Sequence, residues 1–204
     1  MNKLKIIVLF LILTMNSFAQ LYFGVTGGPT IPNFEESGMY KPTFNICGNI
    51  YYRTPINLML CGQISYINNM KLSESWAINN MGGSSIEDNT AYITYNPILS
   101  LSLEYSTMSQ NELTLFYFGI GGGIFTSSAN GVVKVASNYG YQKLVFYGEK
   151  HTNLGVSPKI GLMDEMANDL YISFELKYDL IFAVFREHLI NINIGIVLKI
   201  EQNE

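Results

Sequence analysis

Between Asp169 and Leu180 apolar and polar positions alternate without a break. Leu170, Ile172, Phe174, Leu176, Tyr178 and Leu180 take one parity; Asp169, Tyr171, Ser173, Glu175, Lys177 and Asp179 take the other. A period of two marks a strand with two unlike faces. Seven further segments repeat it: residues 21–28, 42–52, 57–67, 91–105, 112–125, 154–163 and 188–200. Most approach the roughly 9 to 11 residues with which a tilted strand crosses a bilayer. No amphipathic helical segment competes with them, so the pattern predicts an all-β chain of eight strands.

The same alternation suits a soluble strand with its apolar row inside or a membrane strand with that row in lipid, and the connections separate the two. Residues 29–41, 68–90 and 126–153 make long loops, whereas 53–56, 106–111 and 164–168 make short ones. Long loops on one side and tight turns on the other characterise an up-and-down transmembrane β-barrel. The last connection, 183–187, is a short exception on the long-loop side. Across the chain the apolar row carries large residues, such as Ile93, Tyr95, Leu99, Leu101 and Leu103, while the polar row is rich in Asn, Ser, Thr and Gly. A narrow soluble barrel could hardly hold the bulky row inside. The bulky row is therefore read as lipid-facing and the polar row as a packed lumen. Pro97 and Pro158 each remove a ladder hydrogen bond and predict bulges or local breaks.

The first nineteen residues have Lys3 and Lys5, an apolar run from Ile6 to Leu13 and Ser17-Phe18-Ala19, the layout of a secretory signal peptide cut after Ala19. Residues 20–204 then form one barrel domain, and an even number of strands leaves both termini in the periplasm. Without Lys3 and Lys5, 10 basic residues face 16 acidic ones. An acidic, exported chain without a basic patch is not expected to bind nucleic acid.

The last strand contains Asn193, Gly195, Leu198 and Ile200 at the spacing polar, any, Gly, two residues, then two hydrophobic residues separated by one. This resembles the C-terminal insertion signal of outer-membrane barrels, though no terminal aromatic is present and Glu201-Gln202-Asn203-Glu204 follow. The start of the mature chain, LYFGVTGGPTIPNF, also resembles the first strand of small outer-membrane barrels of the OmpA/OmpX-like and PorT-like families. The resemblance implies a barrel in the outer membrane of a Gram-negative cell, surrounded by outer-membrane lipid and inserted by the barrel-assembly machinery. It implies no activity, because such barrels serve as anchors, adhesins, secretion accessories and enzymes.

The lumen parity collects Glu104, Lys159, Glu175, Lys177, Asp179 and Lys199, which in so narrow an interior must pair. Cys47 and Cys61 share that parity. With Arg53-Thr54-Pro55 as the tight turn they face each other, so an exported chain holds there either a cross-strand disulfide or two buried thiols. Two Cys without clustered His do not make a zinc site. The glycines from Gly119 to Gly123 lack the following helix a phosphate loop needs, and are read as room for lumen side chains such as Tyr117. No cofactor is expected. His188, Glu187 and Ser127 or Ser128 offer the parts of a lipid hydrolase or acyltransferase at the rim, with nothing to fix their geometry. Residues 131–147 read as a hairpin turning at Asn138-Tyr139-Gly140 and extending the strands on either side. Its Tyr139, Tyr141, Phe146 and Tyr147, with Trp76 in the loop 68–90, are candidate contacts for an extracellular or envelope protein. The resulting expectation is a non-enzymatic, plugged barrel with a structural or interaction role. The alternatives are an accessory barrel for secretion or envelope assembly and a rim-site lipid enzyme.

Overall fold

The computed structural model describes residues 20–33, 38–138, 140–183 and 187–200. The residues read as a signal peptide lie outside these, as does Tyr139. Among the described residues the strands are β1 (Gln20–Pro32), β2 (Thr43–Arg53), β3 (Leu58–Lys71), β4 (Ser85–Asn89), β5 (Tyr92–Met108), β6 (Thr114–Ser137), β7 (Gly140–Ala167), β8 (Leu170–Phe182) and β9 (Glu187–Ile200). A helix, α1 (Glu74–Met81), precedes β4. Eight strands pair antiparallel around a closed ring, β1-β2-β3-β5-β6-β7-β8-β9, with β9 returning to β1. Closure removes the sheet edges that lipid could not satisfy. The short β4 stands outside the ring and pairs with the far half of β6.

The alternation resolves as an inside-out wall: Phe174 is 41% exposed and its neighbour Glu175 4%. On β9 the outward row runs from Ile190 to Ile200; at ~3.4 Å per residue and a tilt of ~40° it covers ~26 Å, close to the apolar band of a transmembrane barrel. The three tight turns lie at the end that carries Gln20 and Ile200, and each holds a residue in the left-handed region: Asn57 (φ 63°), Glu112 (φ 59°) and Asp169 (φ 62°).

Three sequence expectations need correction. The β2–β3 turn is Thr54–Asn57, with the Thr54 N–H donating to the Leu58 carbonyl at 2.7 Å, because Arg53 stays in the ladder opposite Met59. That moves the register: Cys47 faces Ser65, Cys61 faces Tyr51, and both are free thiols rather than a disulfide. Ile93 and Tyr95 do not face lipid. A one-residue register shift between Tyr95 and Ile98, at Pro97, turns both into the barrel. At Pro158 the expected irregularity is a local break without a shift: pairing with β8 skips residues 157 and 158, while Val156 opposite Leu180 and Lys159 opposite Lys177 keep one register. Finally, the loop 68–90 contains α1, closed by Gly82 in the left-handed region at φ 63°. The helix is too short, and too polar on one side, to have shown in the periodicity.

Beyond the lipid-facing rows β6 and β7 continue together as a hairpin from Asn130 opposite Tyr147 to Ser137 opposite Gly140. The expected extension of these strands is present, and the hairpin makes no second crossing.

Candidate functional site

The interior is layered. At the end of the chain termini Tyr22, Tyr51, Met59, Cys61, Leu115, Tyr117, Met163, Tyr171 and Val197 form an apolar cluster. Arg53 closes it from below, donating to Ser106, Gln20 and Asn57 at 3.1, 3.2 and 3.1 Å.

Above this lies the charged layer, and glycines in the wall explain how it assembles. Glu104 on β5, Gly119 on β6 and Lys159 on β7 occupy one rung. A Cβ on Gly119 would sit 2.3 Å from the Leu103 carbonyl oxygen and 2.6 Å from Glu104 Cγ. With only a hydrogen there, Lys159 reaches across β6 and its Nζ meets Glu104 Oε1 at 2.6 Å. The neighbouring rung repeats the device. Tyr117 lies over Gly161, whose Cβ would collide with the phenol at 2.4 Å, and its hydroxyl donates to Glu175 Oε2 at 3.3 Å. Lys159 also approaches Glu175 at 3.5 Å, so one ammonium bridges two carboxylates.

A second pair lies one step higher on β8. Lys177 Nζ is 3.1 Å from Asp179 Oδ1 and donates to Gln63 Oε1 at 2.7 Å. Gln63 passes a hydrogen bond to Asn49 (2.8 Å), and Asn49 to Thr26 (3.0 Å). Asn191 donates to Asp179 at 2.7 Å and accepts from Thr30 at 2.6 Å; Asn193 donates to Glu175 at 3.1 Å. The five charges are 1% to 6% exposed. At such burial a charge without a partner would be prohibitive, so the amides and hydroxyls are as necessary as the ion pairs. A void of about 10 Å³ beside Cys47, Ser65, Lys177 and Asp179 has room for one water and no more.

Lys199 does not join this layer. It sits at the terminus end, partly exposed, 3.5 Å from Asp169. Its parity is that of the lumen, but its height puts it at the rim, which periodicity cannot report. Asn49 and Thr30 were not singled out in the sequence, although their shared parity with the charges is the signal that marks them.

At the long-loop end the lumen turns apolar again. Tyr40, Ile67, Met70, Leu72, Ala77, Ala91, Ile93, Tyr95, Ile98, Phe125, Val133, Val135, Ile181 and Leu189 form a plug, with Trp76 of α1 and Phe146 packed against it. These two candidate contact residues therefore serve the interior. Burial pushes the Tyr40 hydroxyl up to about 12, helped by the Glu187 carboxylate. Tyr141 and Tyr147 stand out on the hairpin, Tyr147 at 84% exposure, and Lys134 lies over the Tyr141 ring at 5.8 Å.

The rim residues with hydrolytic potential do not converge. Glu187 turns inward and accepts from Tyr95, whereas His188 pairs with the Tyr178 hydroxyl. Ser127 is buried, and Ser128 pairs with Thr94. Consecutive strand residues face opposite sides of the wall, so Glu187 cannot orient His188.

No protein-family model matches the sequence, and no curated protein matches it. Solved structures do. Neisserial surface protein A aligns over 90% of this chain and 100% of its own at a TM-score of 0.64 and 10% identity. A major outer membrane protein from Thermus thermophilus aligns over 90% and 100% at 0.57 and 11% identity. The fold is that of a small outer-membrane β-barrel. Ail, the attachment invasion locus protein of Yersinia pestis, solved with the heparin analogue sucrose octasulfate, shares it at a TM-score of 0.52 and 12% identity, over 89% of this chain and 97% of its own. The OmpA/OmpX-like resemblance thus holds for architecture. At these identities the outer-membrane barrel fold is what is shared.

The four residues read as an insertion signal divide between the two faces of the wall. Asn193 and Gly195 face the lumen; Leu198 and Ile200 face lipid. A Cβ on Gly195 would lie 2.1 Å from the Val25 carbonyl oxygen, so the glycine is required where β9 closes on β1.

Proposed function

We propose that this protein is a non-enzymatic outer-membrane anchor, sealed to solutes, which presents its β6–β7 hairpin outside the cell to a protein partner. Its termini lie in the periplasm, and the last strand, through Asn193, Gly195, Leu198 and Ile200, is read by the barrel-assembly machinery during insertion. The observation that carries the interaction reading is an open strand edge. β8 pairs with β7 only from Leu154 onward, so among the described residues no strand covers β7 from Gly140 to Asn153. Exposed backbone donors and acceptors on a protruding strand are a template for an added strand from another chain. The sealed lumen rests on the charged layer between two apolar clusters.

Two measurements test this. A photo-crosslinking residue at Gln142 on the open edge should give a discrete protein adduct in intact cells, whereas one at lipid-facing Phe116 should not; absence of an adduct at 142 overturns the recruiting role. In planar bilayers the purified protein should be silent. Steady single-channel steps that persist after deletion of residues 131–147 would mean that the lumen conducts.

A further inference from the structure

We propose that the outward face of β5, β6 and β7, where the apolar belt ends on the long-loop side, binds a phosphate-bearing lipid of the surrounding leaflet. Two adjoining depressions carry the inference. The lower is an open groove of about 770 Å³, bordered by Gly62, Leu99, Leu101, Gly122, Ile124 and Leu154. The upper is a polar pocket of about 110 Å³ formed by Thr94, Asn96, Thr126, Ser127, Ser128 and Lys150.

Register places one directly above the other. Leu99, Ile124 and Leu154 form one rung, and Thr94, Ser128 and Lys150 form another. The two are four residues apart on β6 and β7, ~13 Å along the strand. Acyl chain and phosphate of one lipid therefore meet matching surfaces at matching heights.

The groove is not a by-product of wall packing. Glycines that face the lumen, such as Gly119 and Gly161, would clash if given a Cβ. Gly62 and Gly122 face outward on one rung with Leu101 between them. A Cβ on Gly62 would meet nothing within 4 Å, and one on Gly122 only the Gly155 carbonyl oxygen at 3.7 Å. The protein tolerates a side chain at both places and has none, which leaves the space to a chain from outside.

The pocket above supplies the complement to a phosphate. Lys150 is exposed, and among the described residues no carboxylate pairs with it. The Thr94 and Ser128 hydroxyls lie 3.2 Å apart, and that of Thr126 lies 3.4 Å from the Thr152 hydroxyl outside the pocket, so each pair keeps one proton free for a bound oxygen. A lysine with several hydroxyls beside an apolar groove suits a monoester or diester headgroup at a membrane interface.

The test uses the full chain folded in detergent, its fold verified by heat-modifiable gel mobility, with lipid binding followed by native mass spectrometry. The probes are dimyristoyl phosphatidate, dimyristoylglycerol with the same chains but no phosphate, and inorganic phosphate alone. Phosphatidate should bind about tenfold more tightly than dimyristoylglycerol, the value of one charge-assisted contact. Lys150→Gln should abolish that difference without changing dimyristoylglycerol binding, and Gly122→Leu should weaken both lipids. Should Gly122→Leu fail to fold, Gly62→Leu blocks the same groove at an open position. Equal affinity for the two lipids, or a preference that survives Lys150→Gln, overturns the proposal. So does inorganic phosphate that binds as tightly as phosphatidate and ignores the groove substitutions, which would leave an anion site without a lipid. None of these outcomes depends on the hairpin partner.

Discussion

Below Pro97 the barrel is inside-out, and above it the arrangement is that of a soluble protein. In the lower region Leu99, Leu101, Phe118 and Ile120 face lipid while Glu104, Lys159, Glu175, Lys177 and Asp179 form a charged layer inside, above the apolar cluster at the terminus end. In the upper region Phe125, Val133, Val135, Ile93 and Tyr95 point inward, and Thr126, Ser128 and Lys134 stand on the outer side. On β6 the strand parity never changes; what changes is which parity carries the apolar residues. On β5 the bulge at Pro97 makes the exchange by shifting the backbone itself. Burial alone does not tell the two regions apart, since the inward side chains of both are buried. The difference lies in what surrounds the wall. A wall bathed in lipid can leave polar groups only inside, where they must pair; a wall bathed in water can give its apolar groups to the core.

The sharpest test of this contrast removes the cation of the lower layer. Lys159→Met leaves Glu104 and Glu175 buried without their shared partner and should cost about 3 to 5 kcal/mol in urea unfolding of the protein in lipid vesicles. Adding Glu104→Gln and Glu175→Gln should restore most of the loss. A cost below about 1 kcal/mol for the single variant would show that water reaches the layer and that the lumen is not sealed. The outer surface gives the next largest effect. Phe174→Arg, in the middle of the lipid-facing row, should cost about 2 to 4 kcal/mol, whereas an arginine at outward Ser128 should cost almost nothing. Equal costs at the two positions would erase the boundary.

How much of this the sequence carried follows from what a period of two can encode. It specifies face, so the lumen placement of Glu175, Lys177 and Asp179 and the lipid placement of Phe174 and Leu176 were legible at once. It does not specify height, and Lys199, correct in face, lies at the rim beside Asp169. Nor does it survive a bulge: Pro97 announced an irregularity, but the direction of the parity change, and with it the inward turn of Ile93 and Tyr95, depends on which strand takes the extra residue. The cysteine pairing failed on turn length, since a turn centred two residues later moves the partner of Cys47 from Cys61 to Ser65. The upper plug was hidden for a different reason. It draws on α1, the segment around Tyr40 and five strands, and contacts so distant in sequence leave no local period.

The smallest expected effect concerns that plug and its pH dependence. Tyr40 titrates near 12 in the folded protein, against about 10 in an unfolded chain, because burial disfavours the phenolate. The unfolded state therefore loses its proton first as pH rises. The contribution of neutral Tyr40 is fully present below about pH 10 and declines between 10 and 12, with a total loss of at most 2 to 3 kcal/mol. Trp76 is the single tryptophan of the chain and packs against the plug, so its emission reports the plug's opening without interference from the lipid-embedded wall. In detergent at pH 11 the wild-type plug should open at lower urea than at pH 9, and Tyr40→Phe should remove most of that shift. The urea midpoint of the wall, followed by gel mobility, should move less than that of Trp76. If both midpoints move together, plug and wall unfold as one unit, and the boundary at Pro97 separates two environments but not two stabilities.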